Sequence, residues 1–255
     1  MAVQSPPSSA TGLYCYGVVA ARDANKPTGG GGLDGKPVKT VVHDDLAALV
    51  SEAPGSVRAK RRDLMAHLDV LGTAFEHGTV LPARFGIVFD DEESLVRELL
   101  APRRKELVHL LKELDDRVEL RVTAHHRPEQ VLAETVVQNP RIAKLREATR
   151  GAAGAHPALI ELGELVTNDL RRRVATDAQT LLGRLRPLSD RYELDPDPIE
   201  YQVLRGSFLV RRKRVPAFEE ALQAFAAENV DRIDVKLVGP LPPHSFVELT
   251  HGERR

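Results

Sequence analysis

The most strongly patterned part of the chain runs from Val80 to Ala124 and predicts a strand, a helix and a second strand. The apolar, β-branched and aromatic residues from Phe85 to Phe89 are typical of a buried strand. From Val118 to Thr123 apolar and polar residues alternate, which predicts a half-buried strand. Between the two, apolar residues recur at helical spacing: Leu95, Val96, Leu99, Leu100, Leu107, Leu110, Leu111 and Leu114.

Two residues bear on the bounds of that helix. Asp90 is predicted to be its N-cap, with Glu93 completing a capping box. Pro102 interrupts the apolar series, so we expect a kink there or a new helix with Pro102 in its first turn.

The first part of the chain predicts further strands and one helix. Gly12 to Ala20 and Pro37 to Val42 are strand-like, and Leu46 to Val50 fits a third strand or a short helix. Arg22 to Lys36 contains four consecutive glycines and is expected to be a flexible loop. Arg58 to Glu76 predicts a helix with one apolar face made of Leu64, Leu68, Leu71 and Phe75.

The middle of the chain is predicted to be helical. Pro128 to Arg150 has helical tendency with a break near Asn139-Pro140, and the glycines of 151–154 end it. A long helix is then predicted from Pro157 to Arg186, about 40 Å long at 1.5 Å per residue. Such a helix either braces two domains or offers its stripe to a partner helix. The stripe consists of Leu159, Leu162, Val166, Leu170, Val174, Leu181 and Leu185.

The last part of the chain predicts strand, helix and strand. Tyr192 to Ile199 is expected to be an extended connection stiffened by its prolines. Tyr201 to Val210 predicts a strand, Val215 to Glu228 a helix and Arg232 to Val238 a strand. If strand 117–125 belongs with this group, the order is β-α-β-α-β, a ferredoxin-like layout.

These elements predict an α+β protein of two domains. We expect a disordered tail over 1–11, an N-terminal domain with an α/β sheet over 12–115, and a C-terminal ferredoxin-like domain over 116–255 that includes long helix 157–186. The pattern does not decide which half owns strand 117–125, and we assign it to the second.

Composition is that of a soluble, cytoplasmic protein. The 255 residues carry a net charge of −1 with 29 % charged residues, so nothing draws the whole chain to nucleic acid or to membrane. No apolar run is long enough for a membrane span, and the N-terminus lacks the features of a signal peptide. The single cysteine, Cys15, lies in an apolar strand and excludes an intrachain disulfide.

One stretch approaches a nucleotide-binding motif. Gly30, Gly35 and Lys36 match most of a P-loop, but Pro37 stands where a Ser or Thr should meet magnesium, and a strand follows instead of a helix. A glycine-rich surface loop accounts for it better. A nucleotide-binding enzyme using the Gly30–Lys36 loop remains an alternative.

The sequence contains no recognisable motif for metal binding, nucleophilic catalysis or acid–base catalysis. It therefore predicts a protein that is not an enzyme. The nine histidines show neither metal-binding helical spacing nor an HExxH motif. No nucleophile elbow occurs, and the paired aspartates fit caps and turns. We therefore assign no catalytic, cofactor or metal residues.

Two basic runs and the sheet edges are the remaining candidates for binding. The runs are 171–173 on the long helix and 211–214 after a strand. Acidic residues offset their charge, so a solvated face or a contact with an acidic protein is favoured, and a basic-patch nucleic-acid-binding protein is a second alternative. Edge strands could pair with a strand of another chain without any catalytic residue.

Three motifs carry a resemblance to a known family. Leu81-Pro82-Ala83-Arg84-Phe85-Gly86 before an apolar strand resembles a segment of the gas vesicle protein F/L family. Leu13-Tyr14-Cys15-Tyr16-Gly17-Val18-Val19 resembles its opening strand, and Gly239-Pro240-Leu241-Pro242-Pro243-His244-Ser245-Phe246 its closing segment. The likeness spans nearly the whole chain in the right order and leaves the choice between F and L open.

The resemblance implies an accessory protein of gas vesicle assembly, located at the gas vesicle and in the cytoplasm. Its implied partners are the small hydrophobic shell protein and other accessory proteins, not nucleic acid or membrane. The family defines no catalytic residues, and most matching Pro, Gly and Phe residues are expected to be structural. As partner-binding residues we predict Arg84, Arg211, Arg212 and Arg214.

Overall fold

The structure is a computed structural model that describes residues 12–54, 60–150, 157–196 and 199–249. The predicted tail over 1–11 and the glycine break at 151–154 lie outside the described residues. Contacts divide the chain into two compact units. Unit 1 comprises Met1–Glu119 and Pro240–Arg255, and unit 2 comprises Leu120–Gly239.

This grouping by contacts places 240–249 with unit 1, although the sequence analysis assigned those residues to the C-terminal domain. The predicted domains over 12–115 and 116–255 stay a prediction.

Unit 1 is built on a five-stranded antiparallel sheet. Its strands are β1 (Leu13–Ala20), β2 (Lys39–His43), β3 (Leu46–Glu52), β4 (Val80–Pro82) and β5 (Val88–Phe89). The order is β2-β3-β1-β4, with β5 also paired to β1. Strand β1 is central and almost fully buried, as its apolar run predicts. The region 46–52, predicted as strand or short helix, is a strand.

The predicted strand over Phe85–Phe89 is wrong in its extent. Residues 84–86 leave the sheet in a turn, and Gly86 adopts a φ of 98°, in the left-handed region that glycine tolerates best. An apolar run alone does not reveal this turn, which divides the region into β4 and β5.

The helices of unit 1 are α1 (Arg61–His77), α2 (Glu92–Leu95) and α3 (Ala101–Glu113). A five-residue π-helical turn over Val96–Leu100 joins α2 to α3. Pro102 lies in the first turn of α3, the second of the two predicted outcomes. Because proline has no N–H and its ring collides with the preceding turn, the wider π turn accommodates it.

The predicted N-cap is wrong by one residue. Asp91 caps α2, accepting from the backbone N–H of Ser94 at 2.7 Å, while the Ser94 hydroxyl accepts from the N–H of Asp91 at 2.9 Å. The short serine side chain closes the capping box that we had assigned to Asp90 and Glu93.

The predicted apolar face of α1 is partly wrong. Leu71 and Phe75 are buried, but Leu64 and Leu68 are 43 % and 39 % exposed. Their place in the core is taken by the side chains of Asp63, His67, Val70 and Ala74.

Unit 2 contains the other four strands and four helices. In chain order these are β6 (Arg117–His126, which begins in unit 1), α4 (Pro128–Gln138), α5 (Pro140–Thr149), α6 (Pro157–Leu185), β7 (Arg191–Leu194), β8 (Gln202–Arg211), α7 (Val215–Glu228) and β9 (Ile233–Leu241). The sheet order is β7-β8-β6-β9.

The helix break predicted near Asn139-Pro140 is confirmed. The Asn139 side chain caps α5 by accepting from the N–H of Arg141 at 3.2 Å. The extended connection predicted from Tyr192 is wrong at its start, since 191–194 pairs with β8 as strand β7. Four residues are too few for strand periodicity to show in the sequence.

Candidate functional site

All three sequence motifs meet in unit 1, around the side chains of Tyr14 and His67. The Tyr14 hydroxyl accepts from the N–H of Gly86 at 3.2 Å and donates to Nδ1 of His67 at 2.9 Å. The other ring nitrogen of His67 donates to the carbonyl of Ala83. This chain of hydrogen bonds assigns the neutral tautomer with the proton on Nε2. The opening strand, helix α1 and the segment after β4 are thereby joined.

The closing motif is also part of this arrangement. Buried Glu119 on β6 accepts from the N–H of Ser245 at 2.8 Å and from its hydroxyl at 2.9 Å. Leu249 then forms a parallel bridge with Ala83. We call 240–249 the closing segment. The carboxylate of Glu119 and the backbone of Ala83 hold this segment to the rest of unit 1.

Burial and the nearby charge of His244 lower the pKa of His67 to about 4. The unfolded chain, with an ordinary pKa of 6.5, therefore takes up a proton first as the pH falls. We expect His67 to make its full contribution to the free energy of unfolding above pH 6.5. Between pH 6.5 and 4 that contribution should decrease by about 3 kcal/mol.

Urea unfolding of His67→Gln across this pH range should show that the decrease has become smaller. His77→Gln changes an exposed histidine on the same helix and is the control. An unchanged pH dependence in His67→Gln would contradict the assignment.

Tyr16 connects the glycine-rich loop to the same core. Its hydroxyl lies 2.8 Å from the hydroxyl of Ser51 and accepts from the N–H of Leu33 at 2.8 Å. A Cβ added to Gly32 would lie 2.0 Å from the Tyr16 oxygen, so only glycine fits there. At least this end of the loop, which we predicted to be flexible, is anchored.

The geometry of that loop differs from a P-loop. The N–H groups of Gly32, Gly35 and Lys36 bond to carbonyls of the loop itself, and the Lys36 ammonium pairs with Glu52 at 2.7 Å. Strand β2 follows, as the sequence predicted, where a P-loop requires a helix N-terminus to face the phosphates. These contacts favour a structural loop over the nucleotide-binding alternative.

The predicted partner-binding arginines lie in different units. In unit 1, the side chain of Arg84 is 70 % exposed and lies 3.9 Å from Glu248 of the closing segment. In unit 2, Arg211 and Arg214 share the carboxylate of Asp190 at 3.0 and 3.6 Å. Arg212 lies between them in the turn that leads into α7. Their role in binding stays a prediction.

A cavity of about 520 Å³ in unit 1 brings together Asp23, Asp44, Asp45 and Asp115. Arg104 pairs with Asp44 and Asp45, and Lys26 pairs with Asp23. Across the described ranges, no group of three His, Cys, Asp or Glu side chains is placed to hold a metal ion.

Helix α6 buries a charged stripe that the sequence analysis missed. Asp169, Arg173 and Asp177 are spaced four apart and therefore lie on one face. The Asp169 carboxylate accepts from Arg173 at 2.6 Å, and both side chains are largely buried. Burial by itself would raise the pKa of Asp169, but the hydrogen bond and charge of Arg173 hold it below its usual value. The i, i+4, i+8 spacing of charges was the available signal.

Asp177 extends the stripe to the ends of two strands. Nε2 of the fully buried His126 ring lies 2.7 Å from the Asp177 carboxylate, which also accepts from Arg232 at 2.5 Å. Burial by itself would raise the pKa of Asp177. The hydrogen bonds and charges of His126 and Arg232 outweigh burial and hold this pKa below its usual value. Through these contacts the cluster joins α6 to the end of β6 and to the residue that precedes β9.

The predicted apolar stripe of α6 is buried only at its C-terminal end, by Leu181 and Leu185. Its other residues are half-buried, and Leu170 and Val174 among them line a groove. One part, of about 460 Å³, lies between α6 and residues 199–202, and a second, of about 280 Å³, continues along β7 and β8. Both parts share Val174 and Gln202. We call this the α6 groove. Its apolar side chains include Leu170, Val174, Leu182, Leu194 and Ile199.

Two of these residues are strongly accessible. Leu194, in segment 194–196, is 43 % exposed, and Ile199, in segment 199–202, is 61 % exposed. Both segments lie at the rim of the groove. Apolar side chains at a concave surface can bury area only against another molecule. Among the described helices, none has the length and apolar character needed to cross a bilayer.

Comparison with known proteins gives consistent matches. Residues 12–248 match the family model described as gas vesicle synthesis protein GvpL/GvpF. The chain is 37 % identical to gas vesicle protein F of Streptomyces sp. strain CB03234, over 92 % of this chain and 99 % of that one. It is 29 % identical to gas vesicle protein L of the same strain, over 94 % of each.

A solved structure agrees with the sequence matches. The crystal structure of GvpF from Anabaena sp. PCC7120 superposes with a TM-score of 0.81 at 25 % identity, covering 94 % of this chain and all of that one. The predicted α+β mixture of helices and sheets is confirmed by this likeness.

Proposed function

The chain belongs to the GvpL/GvpF family of gas vesicle synthesis proteins, and from this we propose that it is an accessory protein that binds the hydrophobic shell protein. The same proposal includes binding to other assembly proteins, at the gas vesicle and in the surrounding cytoplasm. Membership of the family supports a role in gas vesicle formation.

The observation that carries the proposal is the α6 groove. An unassembled shell subunit exposes apolar surface, which needs a partner to avoid uncontrolled association. The groove presents apolar side chains of matching chemistry, among them Ile199 and Leu194 at its rim. Burying apolar area is favourable by about 25 cal/mol per Å², so the groove favours an apolar occupant.

The backbone of strand β7 provides a second contact for the shell protein in the proposed binding mode. It lies at the edge of the unit 2 sheet, and Leu194 at its end lines the groove. A strand-forming segment of the shell protein can therefore pair with the backbone of β7 while its side chains enter the groove.

The arrangement that we propose for the C-terminal domain is ferredoxin-like. Counting its four strands along the chain, the sheet order is second, third, first, fourth, and helices separate the first from the second and the third from the fourth. That order supports the assignment of β6 to this domain.

We expect Ile199→Asp to weaken capture of purified shell protein by at least about tenfold, because it places a charge where apolar area would be buried. The matched control is Val230→Asp, at a β-branched residue of unit 2 that is 60 % exposed and outside the groove lining. Affinity is measured by pull-down and titration of the full chain.

Equal loss in the two variants would point away from the groove. No capture by the unsubstituted chain, in an assay whose positive control works, would overturn shell binding itself. Arg84, Arg211, Arg212 and Arg214 remain proposed contacts for other accessory proteins.

A further inference from the structure

The unit 2 sheet has one face against helices and one face directed away from them. His126 on β6 bonds to Asp177 of α6, and Phe208 on β8 lies 5.3 Å from the ring of Phe218 on α7. Because successive strand residues point to opposite faces, the odd-numbered residues of β6 and β8 lie on the other face.

That other face is rich in basic side chains. In β7, Arg191 is opposite Leu209 and Glu193 is opposite Ser207, which places both on it. Arg127 directly follows β6 and pairs with Asp234 of β9, which places Asp234 on this face. Lys236 is two residues further along β9 and therefore lies on the same face. We call this surface the basic sheet face. Its basic residues include Arg121, Arg127, Arg191, Arg205, Arg211 and Lys236.

Three acidic residues of these strands share the face: Glu193, Asp234 and Glu119, whose buried carboxylate already accepts two hydrogen bonds from Ser245. The ends of its basic side chains reach solvent: Arg121 and Lys236 are exposed, and the side chain of Arg205 is 60 % exposed. The residues between them on β6 and β8, Glu119, Val203, Ser207 and Leu209, are buried. A net positive face on a chain of net charge −1 is a local feature and not a consequence of composition.

The existing contacts of this face indicate which anion suits it. Arg127 binds Asp234 with two nitrogens, at 3.0 and 2.7 Å. Arg205 and Arg211 pair with the carboxylates of Asp195 and Asp190 at 3.4 and 3.0 Å. A guanidinium has five N–H donors, so one carboxylate leaves donors for a second.

The face does not have the features of a single-stranded nucleic-acid site. Such sites stack bases on large aromatic rings, and the described residues of the basic sheet face include no Phe, Tyr or Trp side chain. Tyr192 and Phe208 are stacked on each other on the helix side of the sheet.

We propose that the basic sheet face binds an acidic segment of a partner protein, with carboxylates bridging arginines on neighbouring strands. The surface is separate from the α6 groove, so this proposal does not rest on shell binding there.

The test uses the full chain and a fluorescently labelled oligoglutamate peptide at low salt. We expect Arg121→Glu/Arg205→Glu to weaken binding by about tenfold, because two screened contacts are lost and reversed. Lys144→Glu/Arg146→Glu makes the same charge change at exposed residues of α5 and should bind like the unsubstituted protein. Circular dichroism checks that both double variants are folded.

Three outcomes would overturn the proposal. The unsubstituted chain could fail to bind the peptide, or both double variants could lose binding equally. A single-stranded oligonucleotide of equal charge could also bind more tightly through the same arginines, which would identify the face as a nucleic-acid site instead.

Discussion

Asp169→Ala is expected to lower the free energy of unfolding by about 3 kcal/mol, because removing one member of a buried ion pair leaves the other charge without adequate compensation. The side chains of Asp169 and Arg173 are 3 % and 12 % exposed. Among the residues that the structure describes, Arg173 would retain its contacts with Glu134 at 3.4 Å and with Gln138 at 3.1 Å. Denaturant unfolding followed by circular dichroism measures the change.

Two further variants distinguish the effect of the buried ion pair on stability from the effect of a changed helix propensity. Glu164→Ala removes an exposed acidic residue from the same helix and should change stability by less than about 0.5 kcal/mol. Asp169→Leu/Arg173→Leu removes both charges and should recover much of the loss, since apolar residues can replace a buried pair. A double variant less stable than Asp169→Ala would contradict this account of the stripe.

Glu119→Ala is expected to release the closing segment and to lower the free energy of unfolding by about 2–4 kcal/mol, because two hydrogen bonds to a buried carboxylate are lost. The Ser245 N–H would then exchange with solvent much faster. So would the N–H of Arg84, which donates to the carbonyl of Leu249 at 3.4 Å. Hydrogen exchange resolved by residue is the measurement.

Glu248→Ala is the control for this experiment, since it removes a carboxylate that is 84 % exposed in the same segment. It should leave the exchange of both amides unchanged. Continued protection of Ser245 in Glu119→Ala would show that other contacts suffice to hold the segment.

The elements of the fold follow largely from periodicity, whereas their bounds do not. Helix α7 begins and ends where predicted, because Pro216 in its first turn and the spacing of Phe218, Leu222 and Phe225 agree. The split into β4 and β5 depends on the backbone of one glycine, and the cap at Asp91 on one serine hydroxyl. Such single contacts leave no periodic signal.

The faces of α1 and α6 were harder to predict, for one shared reason. Hydrophobic periodicity assumes that polar side chains face solvent, yet His67 and Asp169 are buried because partners satisfy them. Those partners are brought together by the fold, so the sequence alone could name the residues but not their pairing.

The motifs were recognisable in the sequence, but their meeting in space was not. Tyr14 reaches Gly86 and Glu119 reaches Ser245 across 72 and 126 residues. Contacts at that separation depend on how the intervening chain folds, and nothing local to either residue indicates them.

The division of unit 1 between the two ends of the chain has a consequence for synthesis. A ribosome completes all of unit 2, residues 120–239, before it adds Ser245 and Leu249. At about 10 residues per second, Glu119 waits on the order of ten seconds for its partners. At the end of that interval unit 2 has been synthesised while Ala83 still lacks its partner Leu249, so the unit encoded first is the last to be finished.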